Sequence, residues 1–141
     1  MLAYKEIIVD ASILFSFFKK DSKRRQLFEK LLNENCKLLS PHFVLDELRS
    51  DKGKIMQFSK ASAGDFELAF STIEDELELI NEDEYGEFLS EAKQLSPHTK
   101  DDIYFASALS QNCPIWSDEK AFREQSKVRI FTTKELLDSL E

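Results

Sequence analysis

With only two histidines, two cysteines and three glycines in 141 residues, the chain lacks the raw material for several common chemistries. Cys36 and Cys113 lie far apart and form no C-x-x-C pair. They are too few for a disulfide framework or a zinc site, and each is expected to be a small buried hydrophobe. His42 and His98 would have to meet in one site for a paired imidazole acid/base scheme, and each reads instead as an ordinary loop histidine. Gly53, Gly64 and Gly86 do not follow any apolar, strand-like run. Dinucleotide fingerprints and P-loops need glycine at that place so that backbone can approach phosphate closely, which excludes both. No stretch approaches the roughly 18 to 20 uninterrupted apolar residues of a membrane helix. The start, MLAYKEIIVD, enters a strand pattern too soon for a secretory leader. A soluble, cytoplasmic protein with no membrane association is expected.

Positive charge is missing from one place in particular. Between Glu74 and Glu91 there are nine acids and neither lysine nor arginine, so the remainder carries 18 acids against 19 bases, and the net charge of -8 is local. The acidic run reads as a solvated helix face. The densest basic stretch is Lys19, Lys20, Lys23, Arg24 and Arg25, broken by Asp21. Its functional reading is a phosphate-contacting rim, with Lys23, Arg24 and Arg25 as substrate-binding residues.

What the chain does have is a single core's worth of apolar residues, 42% of the total, arranged in alternation. One domain spanning residues 1–141 is expected. Short apolar runs at 5–9, 37–39, 77–80, 114–117 and 128–131 read as strands. Between them lie helical patterns at 11–18, 22–33, from Pro41 onward with Phe43, Val44, Glu47 and Leu48, at 65–76 after Gly64, from Asn81 to before Ser96, and at 100–110 capped by Thr99. Asn81 with Glu84 and Thr132 with Glu135 are capping-box pairs, the second opening a last helix. This alternation implies a three-layer α/β/α sandwich around a central parallel sheet of about five strands.

Carboxylates mark the ends of these elements. Asp10 follows Ile7-Ile8-Val9, Asp118 and Glu119 follow Pro114-Ile115-Trp116-Ser117, Glu47 sits on an apolar helix flank, and Asp101 stands where a helix opens. Ligands of open parallel sheets bind outside the carboxyl ends of the strands. Acids converging there would form an oxygen-only site for a hard cation such as Mg²⁺ or Mn²⁺. Such an ion relieves the repulsion between carboxylates, polarises a phosphoryl oxygen and acidifies a bound water. The chemistry expected is phosphodiester hydrolysis.

The same motifs resemble those of the PIN domain, the nuclease fold of VapC-type toxins, and especially its archaeal-style branch. IIVDASILFSFF is similar to the opening strand with its first acid, here Asp10, followed by Ser12. PHFVLDEL is similar to the second motif, with the acid at Glu47. KDDIYFASAL is similar to the third, in which Ala106 and Ala108 stand five and seven residues after Asp101. PIWSDEKAF is similar to the fourth, a hydroxyl residue, any residue, then an acid. Counted from Ser117 that acid is Glu119, where the family normally shows Asp, while Asp118 occupies the intervening place; both are carried as candidates.

The resemblance implies Asp10, Glu47, Asp101, Asp118 and Glu119 as catalytic and metal-binding residues, with Ser12 and Ser117 beside them. It also implies Mg²⁺- or Mn²⁺-dependent endonucleolytic cutting of RNA, a small antitoxin partner as in VapBC-type toxin-antitoxin pairs, and a homodimer to which Phe17, Phe18 or the acidic helix after Asn81 would contribute. Two other readings stand beside it. One is a PIN-like module that binds RNA or protein without cutting. The other is a phosphatase-type domain with Asp10 as nucleophile, which usually carries a second acid two residues on, where this chain has Ser12.

Overall fold

A first strand buried on both faces sets up the whole molecule, described here over residues 4–140 of a computed structural model. In β1 (Glu6–Val9), Ile7 and Val9 pack into one hydrophobic cluster and Ile8 into another. Successive strand side chains point to opposite faces, so this one run contributes to both layers of core. The other strands are β2 (Lys37–Pro41), β3 (Glu78–Ile80), β4 (Ile115–Trp116) and β5 (Ile130–Phe131). All pairings are parallel, in the order β3-β2-β1-β4-β5.

On one face lie α1 (Ala11–Phe17), α2 (Lys23–Asn33), α3 (Phe43–Ser50), α4 (Lys52–Ser59), α5 (Ala63–Glu76) and α9 (Thr133–Ser139). Phe17, Phe28, Phe66 and Trp116 are the large side chains of that cluster. On the other face lie α6 (Glu82–Tyr85), α7 (Leu89–Leu95) and α8 (Asp102–Gln111), which bury Tyr85, Ala92, Phe105 and Ala106 against Ile8 and Ile115. The result is the expected three-layer sandwich around five parallel strands. From β1 the chain steps outward through β2 to β3, then returns across β1 to start β4 on its other side. The carboxyl ends of β1 and β4 therefore flank the topological switch point.

Local signals and observed elements mostly coincide. Glu135 accepts from the Thr132 backbone N–H and opens α9, and Glu84 accepts from the Asn81 N–H at 3.3 Å and opens α6. Four expectations are corrected. Pro41 does not start a helix: it ends β2, opposite Ile80, and α3 begins two residues later. Lacking an N–H, proline is tolerated at a strand's end. The helix over 65–76 begins at Ala63 and runs through Gly64, because the Ser62–Asp65 capping box supplies the stop that glycine seemed to mark. Thr99 is not a cap; a 3-10 turn over Thr99–Asp101 precedes α8, with His98 before it. The helix expected from Asn81 is divided into α6, a 3-10 turn over Gly86–Phe88 and α7. The helix α4 had no counterpart in the sequence reading.

Phe17 and Phe18 are 1% and 2% exposed, inside the core, so neither offers surface for a subunit contact. Cys36 is buried and Cys113 half-buried, with burial pushing the thiols up to about 11 and about 12 respectively, as befits unreactive core residues.

Candidate active site

Asp10 stands at the first position past β1, buried to 3% exposure. Its backbone N–H donates to the Trp116 carbonyl at 3.1 Å, which ties the ends of β1 and β4 together. Ser12 Oγ and Ser117 Oγ donate to the same carboxylate oxygen, Oδ2, at 2.7 and 2.9 Å. Burial raises the Asp10 pKa, and the two serines partly counter it. Ser117 also accepts from the Glu119 N–H at 3.2 Å, so one hydroxyl positions both strand-end acids.

The two neighbours after Ser117 go different ways. Asp118 accepts from Arg24 Nε at 3.0 Å, Arg24 Nη2 at 2.8 Å, and the Thr133 N–H and Oγ1 at 2.7 and 2.6 Å. Burial raises its pKa, but these hydrogen bonds outweigh burial and leave it below the usual value. It latches β4 to α2 and to the start of α9, and it faces a side groove with Lys23 and Thr133. Glu119 lines the main cleft instead.

That cleft, about 850 Å³, opens at the switch point and is lined by Asp10, Glu47, Asp101 and Glu119. Glu47 arrives from α3 and is exposed; Asp101 arrives from the turn before α8 and is 6% exposed. Its neighbour Asp102 is also buried but accepts from Ser96 Oγ in a different groove. Burial, Glu119 and Asp10 push the Asp101 carboxyl up to about 6, against the opposing pull of Lys100 and His98. Glu47 is raised by burial, by Asp51 and by Asp10, and Glu119 by burial and by Asp10. The four acids thus feel one another's charge.

They do not yet touch. Among the described residues, no three acidic, histidine or cysteine side chains stand close enough to form a coordination group. Two of the four, Glu47 and Glu119, are exposed glutamates. The donor chemistry fits a hard divalent cation, since every candidate ligand is a carboxylate oxygen and nitrogen and sulfur donors are absent from the set.

Of the expected basic residues, Arg24 lines the cleft but is engaged with Asp118 and with Ser16 Oγ at 2.6 Å. Arg25 lies over the Phe17 ring at 4.9 Å and near Glu29, and Lys23 is exposed in the side groove. The sequence reading missed Lys100, the cation at the cleft that lowers three of the acids, although it adjoins Asp101. It also missed Phe43 and Phe58, 42% and 59% exposed on the cleft wall, because phenylalanine in so apolar a chain reads as core. Trp116 is fully buried and is not a cleft residue.

Comparison with known proteins gives matches of two kinds, a family model and solved structures. A family model described as PIN domain matches residues 8–140. A chain in the crystal structure of VapBC2 from Rickettsia felis bound to a DNA fragment from their promoter superposes with a TM-score of 0.64 at 18% identity, covering 90% of this chain and 98% of that one. At that identity the likeness is one of fold. No curated protein matches the sequence.

Proposed function

The chain belongs to the PIN domain family, and from that membership we propose that it is a metal-dependent endoribonuclease, the toxin of a VapBC-type toxin-antitoxin pair. The observation that carries the reading is the arrival of Asp10, Glu47, Asp101 and Glu119, from four separate elements, at one cleft beside the switch point.

Asp10, Glu47, Asp101 and Glu119 would hold Mg²⁺ or Mn²⁺. When bound, that ion supplies Lewis-acid polarisation of a phosphoryl oxygen and a more acidic water. The protein's own part is positioning. Ser12 and Ser117 hold Asp10 in one orientation. Lys100 offsets part of the acidic field that would repel a phosphate. Asp118 and Arg24 keep the β4 exit fixed so that Glu119 points into the cleft.

The walls suit a single strand of RNA. Phe15, Phe43 and Phe58 line the cleft, the Phe15 and Phe58 rings 5.6 Å apart. Phe58 also borders a groove with Lys19, Lys20 and Lys60, and another with Lys23. Aromatic faces for bases beside lysines for the backbone are the usual apparatus of sequence-tolerant single-strand binding. Among the described residues no helix is long and apolar enough to cross a membrane. A cytoplasmic location, a small antitoxin and a homodimer belong to the same reading. The last two are tested by sizing the protein alone and with the product of any adjacent short reading frame.

The deciding experiment incubates the protein with labelled single-stranded RNA and Mg²⁺ or Mn²⁺, beside EDTA and the Asp101→Asn variant. Cutting that requires metal and Asp101 supports the proposal. RNA binding without cutting would favour a non-cutting binding module, the reading to which the separation of the four acids lends weight.

A further inference from the structure

Tyr104 is the third residue of α8. It is 2% exposed and lines the acidic cleft, and its hydroxyl has no hydrogen-bond partner among the described residues. Ser40 exerts a downward pull on the phenol without coming within hydrogen-bond distance of it, and its own hydroxyl donates to the Val9 carbonyl at 3.1 Å. An unpartnered buried hydroxyl is destabilising relative to its apolar counterpart. A buried serine such as Ser107 can turn back to a carbonyl of its own helix, but a phenol sits at the far end of a rigid ring and cannot. The charges that act on Tyr104 are, after burial itself, Glu47, Asp10 and Asp101 in that order, and together they hold the phenol well above its ordinary value. It therefore keeps its proton and is a donor.

Glu47 presents the matching gap. It lies on α3 across the cleft, exposed, and no described donor reaches its carboxylate. Asp10 is already held by two serines, and Asp101 is buried at the start of α8. Glu47 alone of the three is an exposed acid on a long side chain without an anchor.

We propose that Tyr104 is a positioning residue of this site: when the carboxylates converge, its hydroxyl donates to the Glu47 carboxylate and fixes that acid against α8. The inference rests on the metal-dependent reading above. It turns an otherwise destabilising hydroxyl into the element that orders the least constrained member of the cluster.

The test is a double-mutant cycle on the full chain with Tyr104→Phe, Glu47→Ala and the pair, read by melting with and without Mn²⁺ and by cleavage of labelled single-stranded RNA. Without metal, Tyr104→Phe should melt a few degrees above wild type, since an unpartnered buried hydroxyl is gone. With Mn²⁺ it should gain less than wild type. Its kcat should fall about tenfold, the size of one hydrogen bond to a charged group, with KM for RNA unchanged. In the Glu47→Ala background, where no acceptor remains, the same substitution should change neither the Mn²⁺ gain nor kcat. A Tyr104→Phe protein with wild-type Mn²⁺ gain and kcat, or an undiminished effect in the Glu47→Ala background, overturns the proposal. If wild type gains stability with Mn²⁺ but cuts no RNA, the nuclease reading fails and the melting cycle still decides Tyr104. Absence of any Mn²⁺ gain in wild type overturns both.

Discussion

Asp118 and Glu119 are adjacent in the chain and opposite in circumstance, which makes them separable by single substitutions. Asp118→Asn loses the ion pair with Arg24 but retains an oxygen for the Thr133 N–H, and should lower stability by about 1 kcal/mol with RNA cleavage largely kept. Glu119→Gln should do the reverse, leaving the melting temperature near wild type and cutting the cleavage rate sharply. Melting curves and cleavage rates on both variants check this, and a larger cleavage loss in Asp118→Asn would return the fourth position to Asp118. Asp101 offers a pH test. Its folded-state pKa of about 6 lies above the unfolded carboxylate's 3.8, so the folded state binds the extra proton between those values. The stabilisation is present below about pH 4 and is lost as pH rises through 6, on the order of 2–3 kcal/mol. Metal-free Asp101→Asn should therefore match wild type near pH 4 and melt higher than it at pH 7; a constant difference between the two curves would contradict the raised value. Apolar strand runs made Asp10 and the 118–119 pair visible in the sequence, and the opening of a helix made Asp101 so. Which of that pair faces the cleft was not visible, because it is decided by Arg24, far away in the chain.

Where two elements meet, Ser117 is the joint. Its hydroxyl reaches Asp10 across from β4 to β1 and receives the N–H that opens the turn to Glu119. Ser117→Ala should destabilise by about 1 kcal/mol and reduce cleavage more than Ser12→Ala, since Ser12 contacts Asp10 alone. Equal losses in the two variants would mean that only the orientation of Asp10 matters. Capped helices were legible because a capping box is complete within four residues, as with Thr132 and Glu135. Pro41 was not, because its place in a strand depends on pairing with Ile80, and α4 was not, because no side chain caps its start. The broken helix after Asn81 kept one apolar pattern through two changes of pitch, so its interruption left no mark in the sequence.

Across the whole molecule, the layer order followed from strands alternating with helices, since the core on each face is built from local runs. The cleft's aromatic and basic walls did not, because they assemble from α1, α3, α4 and the connecting turns. Neutralising Lys19, Lys20, Lys23 and Lys60 should flatten the salt dependence of RNA binding, by about 0.7 in the log–log slope for each phosphate that no longer meets a lysine. An unchanged slope in a filter-binding titration would make these lysines mere solvated surface. Divalent metal should raise the melting temperature, by the equivalent of about 2.7 kcal/mol at a hundredfold excess over Kd, and EDTA should reverse it. The chain's one tryptophan gives such measurements a built-in optical probe. Trp116 is wholly enclosed, its indole N–H donating to Thr133 Oγ1 at 3.0 Å, on the sheet's far side from α8. Its emission should be blue-shifted in the native state and move to the red when β4 parts from α9. Having no face on the cleft, it stays dark to a base stacking on phenylalanine. A change in its emission on adding RNA would therefore signal movement of the scaffold rather than contact with the ligand.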